Sequence, residues 1–209
     1  MVPASPVPSA HSATAQPRTQ KHHSREDLRD FRIAALVDDH FEQIELTAPQ
    51  ASFEAAGARV DLISPQAQLT GLRHLTPADH FTPDVLLSEA NTDDYDALLL
   101  PGGVVNADQL RLVPAARRFA RSMVEHAKPV AVICHGGWLL ISAGLVHGRT
   151  LTSWPSLEDD YRNAGARWVN EPVVIDGHWV SSRKPDDIPV FNAAAIEVFR
   201  AYHDHRRAA

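Results

Sequence analysis

One cysteine lies where a protein chain would present a nucleophile. Cys134 is the only cysteine of the 209 residues, and it follows the short apolar run 130–133 and precedes His135 and two glycines. An apolar segment with helical character, 138–143, comes next. A sharp strand-to-helix turn exposes the turn residue at the sheet edge, and the free amides of the new helix favour a thiolate. The alternative is a small buried apolar residue, which most free cysteines are; the adjacent histidine favours catalysis.

A second segment places glycines at the end of a neighbouring strand. Gly102 and Gly103 follow Pro101 and the apolar run 95–100. Glycines there let backbone amides approach a ligand closely. Together with the amide of His135, we expect them to form an oxyanion hole beside the cysteine. The alternative is an ordinary tight turn.

A third segment supplies two carboxylates. Glu42 and Glu45 follow the first predicted strand and are three residues apart, so they can share one helix face. Ligands of open α/β sheets bind at the C-terminal ends of the strands, which this segment reaches. The alternative is a pair of solvated charges at a helix start, where acids are favoured in any case.

Strands and helices alternate along the chain. Predicted strands span 31–37, 59–64, 95–100, 130–133 and 148–152, with one or two antiparallel strands within 69–87 and a hairpin over 173–182. Predicted helices span 43–56 (with a kink or later start at Pro49), 115–126, a segment from a capping box at Ser156 and Asp159 to Asn163, and 186–202. This order predicts a single α/β domain, doubly wound and flavodoxin-like, with a mostly parallel sheet sandwiched by helices.

The N-terminal residues differ in composition from the rest. Residues 1–30 are rich in Pro, Ala, Ser and His and lack apolar periodicity, which predicts a disordered tail before a domain at 31–205. The histidines of this tail have no carboxylate or cysteine around them, so we expect no metal site.

The charge balance excludes some partners. The formal net charge is −6, with 26 acidic and 20 basic residues, which gives no reason to expect a nucleic-acid-binding surface or an anionic membrane as partner. No apolar run approaches the roughly 20 residues of a membrane span. A lone cysteine without a signal-like N-terminus predicts a reducing, cytoplasmic compartment.

Several short motifs together resemble one family. They are Phe41, Glu42, Glu45, Leu46 and Pro49; 100–103; 128–130; 133–136; 141–144; 163–166; and 180–183. Over roughly 32–199 the chain resembles the ThiJ/PfpI family of the class I glutamine amidotransferase-like superfamily, and its PfpI-like branch in particular.

The resemblance implies a role for each candidate residue. Cys134 would be the nucleophile and His135 its partner, while Glu45 would contact the sulfur. Glu42 matches a second acid of the branch, and the amides of Gly103 and His135 would hold an oxyanion. Further residues implied in substrate binding are Gly102, Gly136 and an aromatic at the rim, Trp154.

The resemblance also implies a homo-oligomer, a dimer or a hexamer. Asp108 falls near a family position whose acid reaches the histidine of a neighbouring subunit, although the loop before it is one residue longer here. Alternatively, Asp108 caps a short helix at Gln109. A further departure is Gly137 followed by Trp138, where the branch usually has Pro-Gln; the change could reshape the pocket floor.

The motifs limit the reaction. No late histidine is followed two residues on by a glutamate, so glutamine hydrolysis is not expected. The branch implies a cofactor-free cysteine hydrolase or lyase that acts on glyoxal- or methylglyoxal-modified proteins or nucleotides, on small aldehydes, or on peptides. His135 or Glu45 would move the proton. We expect a Cys134 thiolate beside a protonated Glu45; the alternative function is a redox-sensing or chaperone-like stress protein with an oxidisable Cys134.

Overall fold

The computed structural model describes residues 28–208. Its strands are β1 (Arg32–Leu36), β2 (Arg59–Ser64), β3 (Leu69–Arg73), β4 (Thr76–Phe81), β5 (Val85–Leu86), β6 (Ala97–Leu100), β7 (Val130–Ile133), β8 (Thr150–Leu151), β9 (Arg167–Trp168), β10 (Val173–Asp176) and β11 (Trp179–Ser182). Its helices are α1 (Gln43–Ala55), α2 (Val104–Leu110), α3 (Pro114–Glu125), α4 (Gly137–Ser142), α5 (Glu158–Asn163) and α6 (Ile188–Ala208).

Seven strands form the central sheet, in the order β10-β11-β7-β6-β1-β2-β5. Every neighbouring pair is parallel except β10 and β11, which form the antiparallel hairpin at one edge. Strands β6 and β7 are buried along their whole length, and short, wholly apolar strands are typical of a parallel sheet covered on both faces. The predicted doubly wound α/β domain is confirmed.

The two faces of the sheet carry separate cores. Ile33 and Ala35 of β1 belong to the core under α1 and α6, which contains Phe53 and Phe199. Their alternate neighbours in β1 belong to the core under α3 and α4, which contains Phe119. Because successive side chains of a strand point to opposite faces, the central strands join both cores. The packed strands thereby fix the positions of the loops that follow them at the sheet edge.

Local elements differ from prediction in four places. The helix α1 continues across Pro49 without a later start. The segment at 148–152 forms only β8, which pairs with β9 in a small separate sheet. The helix α5 has no capping box, because Leu157 occupies its N-cap position and no side chain caps it. The short helix α2 was anticipated only as an alternative that begins at Gln109, whereas it spans Val104–Leu110; its seven residues show too little apolar periodicity to place it.

The folded unit begins before residue 31. Leu28 is fully buried in the core under α6, and its amide donates to the carbonyl of Ala56 at 3.0 Å. The rest of the expected tail, 1–27, lies outside the described residues. At the other end, α6 continues to Ala208, beyond the predicted end of the last helix and of the domain.

Among residues 28–208, no helix combines the length and the apolar character needed to cross a membrane.

We expect Leu28→Ala to destabilise the domain, because the side chain fills the core and its loss leaves a cavity. The free energy of unfolding in urea should fall by about 2–5 kcal/mol. Leu112→Ala is the control, since Leu112 is 70% exposed and should change stability by no more than about 0.5 kcal/mol. Equal stabilities of the two variants would show that the folded unit does not depend on Leu28.

Candidate active site

Cys134 sits on a tight elbow between β7 and α4. Its φ is 60°, in the left-handed region that a residue with a side chain rarely adopts. The amide of Cys134 donates to the carbonyl of Ser182 at 3.1 Å, and its carbonyl accepts from the amide of Trp154 at 3.2 Å. The elbow is therefore held from both sides, which maintains the strained backbone that presents the thiol at the sheet edge.

Two of the predicted substrate-binding glycines, Gly102 and Gly136, have a packing role. A Cβ on Gly136 would lie 2.5 Å from the carbonyl oxygen of Leu100, and one on Gly102 would lie 2.7 Å from the Cβ of Cys134. Neither residue lines the cavity described below. These two glycines let the ends of β6 and β7 approach each other, a need that only the paired strands reveal.

Glu45 lies beneath the elbow as a fully buried carboxyl group. It comes from the first turn of α1, and its Oε2 accepts the amide of Gly102 at 2.8 Å. Its Oε1 has no hydrogen-bond partner among residues 28–208 that supplies a nitrogen or oxygen donor. Burial raises the pKa of Glu45 to about 8, although hydrogen bonds to Gly102 and Cys134 oppose the shift. This carboxyl group therefore holds a proton at neutral pH.

The thiol itself is in an environment that disfavours its charge. Cys134 is 7% exposed, and burial raises its pKa, as do the charge of Glu45 and a hydrogen bond with it. The amides of Gly103 and His135, which both hydrogen-bond the sulfur, lower it in part. The sequence predicted a thiolate at neutral pH, and therefore a lowered pKa, whereas the pKa of Cys134 is raised. The sequence does not show how deeply the sulfur is buried. Cysteine and glutamate titrate as one coupled pair.

His135 approaches the sulfur from the cavity side. Its Nδ1 lies 3.2 Å from the Sγ of Cys134, within hydrogen-bonding reach. Burial lowers the pKa of His135 to about 4, so the imidazole is neutral at pH 7. The ring stacks on Trp154 at a centroid distance of 5.8 Å and meets Trp138 edge-on at 5.2 Å. A neutral imidazole in contact with a thiol is able to take its proton.

Two backbone amides lie close to the sulfur of Cys134. They belong to Gly103 and His135, and their hydrogen bonds lower the pKa of the thiol. Gly103 has a φ of +92°, and a Cβ there would lie 2.6 Å from the amide nitrogen of Glu42, so only glycine fits. The amides predicted as an oxyanion hole thus come together beside the thiol, while that of Gly102 serves Glu45.

The thiol opens into a cavity of about 370 Å³. The structure brings Glu42, Glu45, Gly103, Cys134, His135 and Trp154 together in its lining. The Oε2 of Glu42 accepts the amide of His74 at 2.9 Å, and Trp154 lies at the rim, 38% exposed.

Sequence reasoning missed part of the lining. The turn between β3 and β4 contributes His74 and Leu75, and the chain after β11 contributes Lys184 and Asp186. The second pair had a signal, because β11 runs parallel to β7 and must end at the same sheet edge. The turn had none, since His74-Leu75 is not one of the residue pairs, such as Asn-Gly or Asp-Gly, that mark a two-residue hairpin turn. No group of three or more potential metal-binding side chains occurs within 28–208.

Asp108 does not line the cavity that contains His135. It is exposed on α2, and within the described part of the chain its carboxylate makes no hydrogen bond or ion pair. Its alternative role as a cap is wrong, because α2 begins earlier and Gly103 occupies the N-cap position.

Neither residue of the Gly137-Trp138 pair lines the cavity, although Trp138 packs against His135, which does. A Cβ on Gly137 would lie 1.7 Å from the hydroxyl of Tyr161, so this glycine makes room for that ring.

Removing the carboxyl group of Glu45 should make the fold less sensitive to pH. The folded protein holds the proton up to about pH 8, whereas the unfolded chain loses it near 4.5, so stability falls as pH rises between these values. In wild type this proton makes the free energy of unfolding fall by up to about 1.4 kcal/mol per pH unit, and Glu45→Gln should abolish that dependence. Urea unfolding of wild type and variant at several pH values from 5 to 8 measures it; parallel curves would show that Glu45 is not protonated in the fold.

Comparisons with known proteins identify the family of the chain. The chain matches the DJ-1/PfpI family over residues 31–198. It is 42% identical to a deglycase of Pyrococcus abyssi over 159 residues, covering 76% of this chain and 93% of that protein. It is 40% identical to protein/nucleic acid deglycase 2 of Escherichia coli over 171 residues, covering 81% and 98%.

Solved structures show the same fold. A ThiJ/PfpI domain protein from Brachyspira murdochii superposes with a TM-score of 0.75 at 21% identity, covering 83% of this chain and 98% of that one. The match of sequence over nearly the whole described domain, together with the shared fold, means that this chain belongs to the DJ-1/PfpI family.

Proposed function

We propose that the protein is a cysteine-dependent hydrolase that removes glyoxal- or methylglyoxal-derived adducts from proteins, nucleotides or related small molecules. The observation that carries this is the Cys134 thiol, with the Nδ1 of His135 at 3.2 Å and two amides on its sulfur, at the base of a small cavity. Relatives at about 40% identity are named deglycases, which supports the same chemistry.

The proposed reaction needs only water. The sulfur of Cys134 displaces the amine from the carbinol carbon of the adduct, and the amine leaves with the thiol proton, carried by His135. A proton then moves between the two carbons, through His135 or the protonated Glu45, and converts the hemithioacetal into a thioester. The amides of Gly103 and His135 hold the developing negative oxygen. Water cleaves the thioester, which restores the thiol and releases lactate from a methylglyoxal adduct or glycolate from a glyoxal adduct.

The cavity favours small adducts over an extended peptide. Its volume of about 370 Å³ is near the lower end of ligand pockets, and Trp154 and Leu75 stand at its opening. An adduct on a side chain or base can enter, while a peptide backbone would need a groove.

A redox sensor is the less favoured use of this thiol. Oxidation by peroxide proceeds through an accessible thiolate. Here the sulfur is 7% exposed, and its pKa is raised by burial and by Glu45. The environment is better suited to a thiol that loses its proton only as substrate binds.

Cys134→Ala should abolish turnover, because no other residue supplies the nucleophile. We expect lactate release from methylglyoxal and from a methylglyoxal-modified peptide to fall at least about 10³-fold, with an unchanged melting temperature as evidence of folding. A fluorogenic peptide in the same panel tests the peptidase alternative. Leu112→Ala, exposed and away from the cavity, is the control. Reversible oxidation of Cys134 without any turnover by wild type would support the sensor instead.

The proposed enzyme is a homo-oligomer, a dimer or a hexamer, in which Asp108 of one copy approaches the His135 of another. Its exposed position on α2, without a partner in the described part of its own chain, supports this. Asp108→Asn should lower turnover by about 10- to 100-fold while the fold survives. Asp204→Asn, which changes an exposed acid on α6, is the control. Light scattering gives the mass, and a fully active monomer would contradict the proposal.

A further inference from the structure

We infer that Trp138 is a positioning residue that packs against the imidazole of His135 and holds it against the thiol, alongside any group that a neighbouring copy supplies. The role of His135 as a proton carrier rests on the proposed function, whereas the contact between the two rings does not. Trp138 does not line the cavity.

Hydrogen bonds alone leave the histidine ring under-determined. Its Nδ1 faces the sulfur of Cys134 at 3.2 Å, whereas Nε2 receives no hydrogen bond from any residue in 28–208. A flip of the ring would place a carbon where Nδ1 now meets the sulfur. A neutral histidine that acts as a base needs its ring and its tautomer held, commonly by a carboxylate or a carbonyl.

Two indole rings of the same chain restrain the orientation of the imidazole. Trp154 stacks on the face of His135, with an interplanar angle of 27°, and Trp138 meets the same ring at 67°. Stacked and edge-on contacts of this kind have defined geometries, so the two together restrict both the tilt and the rotation of the imidazole. Trp154 is partly exposed at the rim, whereas Trp138 lies behind the ring, half-buried in α4.

Trp138 is itself fixed from two directions. Its indole Nε1 donates to the Oδ2 of Asp160 in α5 at 2.8 Å. The guanidinium of Arg111, just after α2, lies 5.2 Å from the centre of the indole ring, and its Nε donates to the Oγ of Ser142 at 2.9 Å. Cation–π contact and hydrogen bond both oppose rotation of the indole. Three elements therefore hold one indole ring, and that ring contacts His135.

Charged and titratable groups surround the histidine on two sides. Those that share its cavity are Cys134, Glu42, Glu45, His74, Lys184 and Asp186. Those behind the indole of Trp138 are Arg111 and Asp160. Within residues 28–208 no carboxylate forms an ion pair or hydrogen bond with the imidazole, whose partner is the thiol of Cys134, so the aromatic contacts position the ring without stabilising its protonated form.

The test replaces the indole of Trp138 and measures the effect on turnover and on the NMR signals of His135. In Trp138→Leu the ring should lose its restraint, and kcat should fall by about 10- to 100-fold while KM stays near its wild-type value, because Trp138 does not touch substrate. Trp138→Phe retains an aromatic edge but not the bond to Asp160, so it should restore part of kcat. Trp168→Phe is the matched control: it removes a similar indole bond, 2.9 Å to Ser153, from a tryptophan with no ring contact to His135.

The second readout does not depend on turnover. The ring ¹⁵N signals of His135 should report one tautomer, neutral down to about pH 4 in wild type, and a mixture with a higher pKa in Trp138→Leu. Wild-type signals and kcat in Trp138→Leu would overturn the inference. If that variant fails to fold, Trp138→Phe decides by the same criteria. If wild type turns over no substrate, the proposed function fails, and the ¹⁵N signals still decide whether Trp138 positions the ring.

Discussion

The site depends on one buried contact, the hydrogen bond from the amide of Gly102 to the carboxyl group of Glu45. It joins the first turn of α1 to the end of β6, directly beneath the cysteine elbow that ends β7. A buried carboxyl group is costly unless it is hydrogen-bonded, and holding a proton lowers that cost further. The consequence is a site in which three separate segments must meet before any one of them is stable in place.

Close packing of this kind sets the electrostatics. Gly102 and Gly136 let the strand ends approach until the thiol, the carboxyl group and the imidazole share one desolvated space. The same burial that raises the pKa of Glu45 and Cys134 lowers that of His135. At neutral pH all three groups are then uncharged, which fits a site where a proton is relayed only when a substrate arrives, and it fits an unreactive resting thiol.

The aromatic rings around the histidine solve a related problem. A neutral imidazole carries no charge by which a neighbouring group could hold it strongly, so packing contributes to its orientation. The indole of Trp138 is hydrogen-bonded to Asp160 of α5 and packs against His135, so the position of α5 helps to fix the orientation of the imidazole. Stability of the helices and geometry of the site are therefore linked through a residue that substrate does not touch.

The sequence by itself determined the alternation of strands and helices, the elbow around Cys134, and the meeting of Glu45, Gly103 and His135 at one sheet edge, because periodicity and chain order carry these. Only the tertiary structure decided the depth of the sulfur, and with it the direction of its pKa. It also decided that Leu28 belongs to the core, that Gly136 packs closely against the end of β6, and that His74 and Lys184 reach the cavity. These features depend on contacts between residues far apart in the chain, and the local sequence pattern does not specify which distant residues meet.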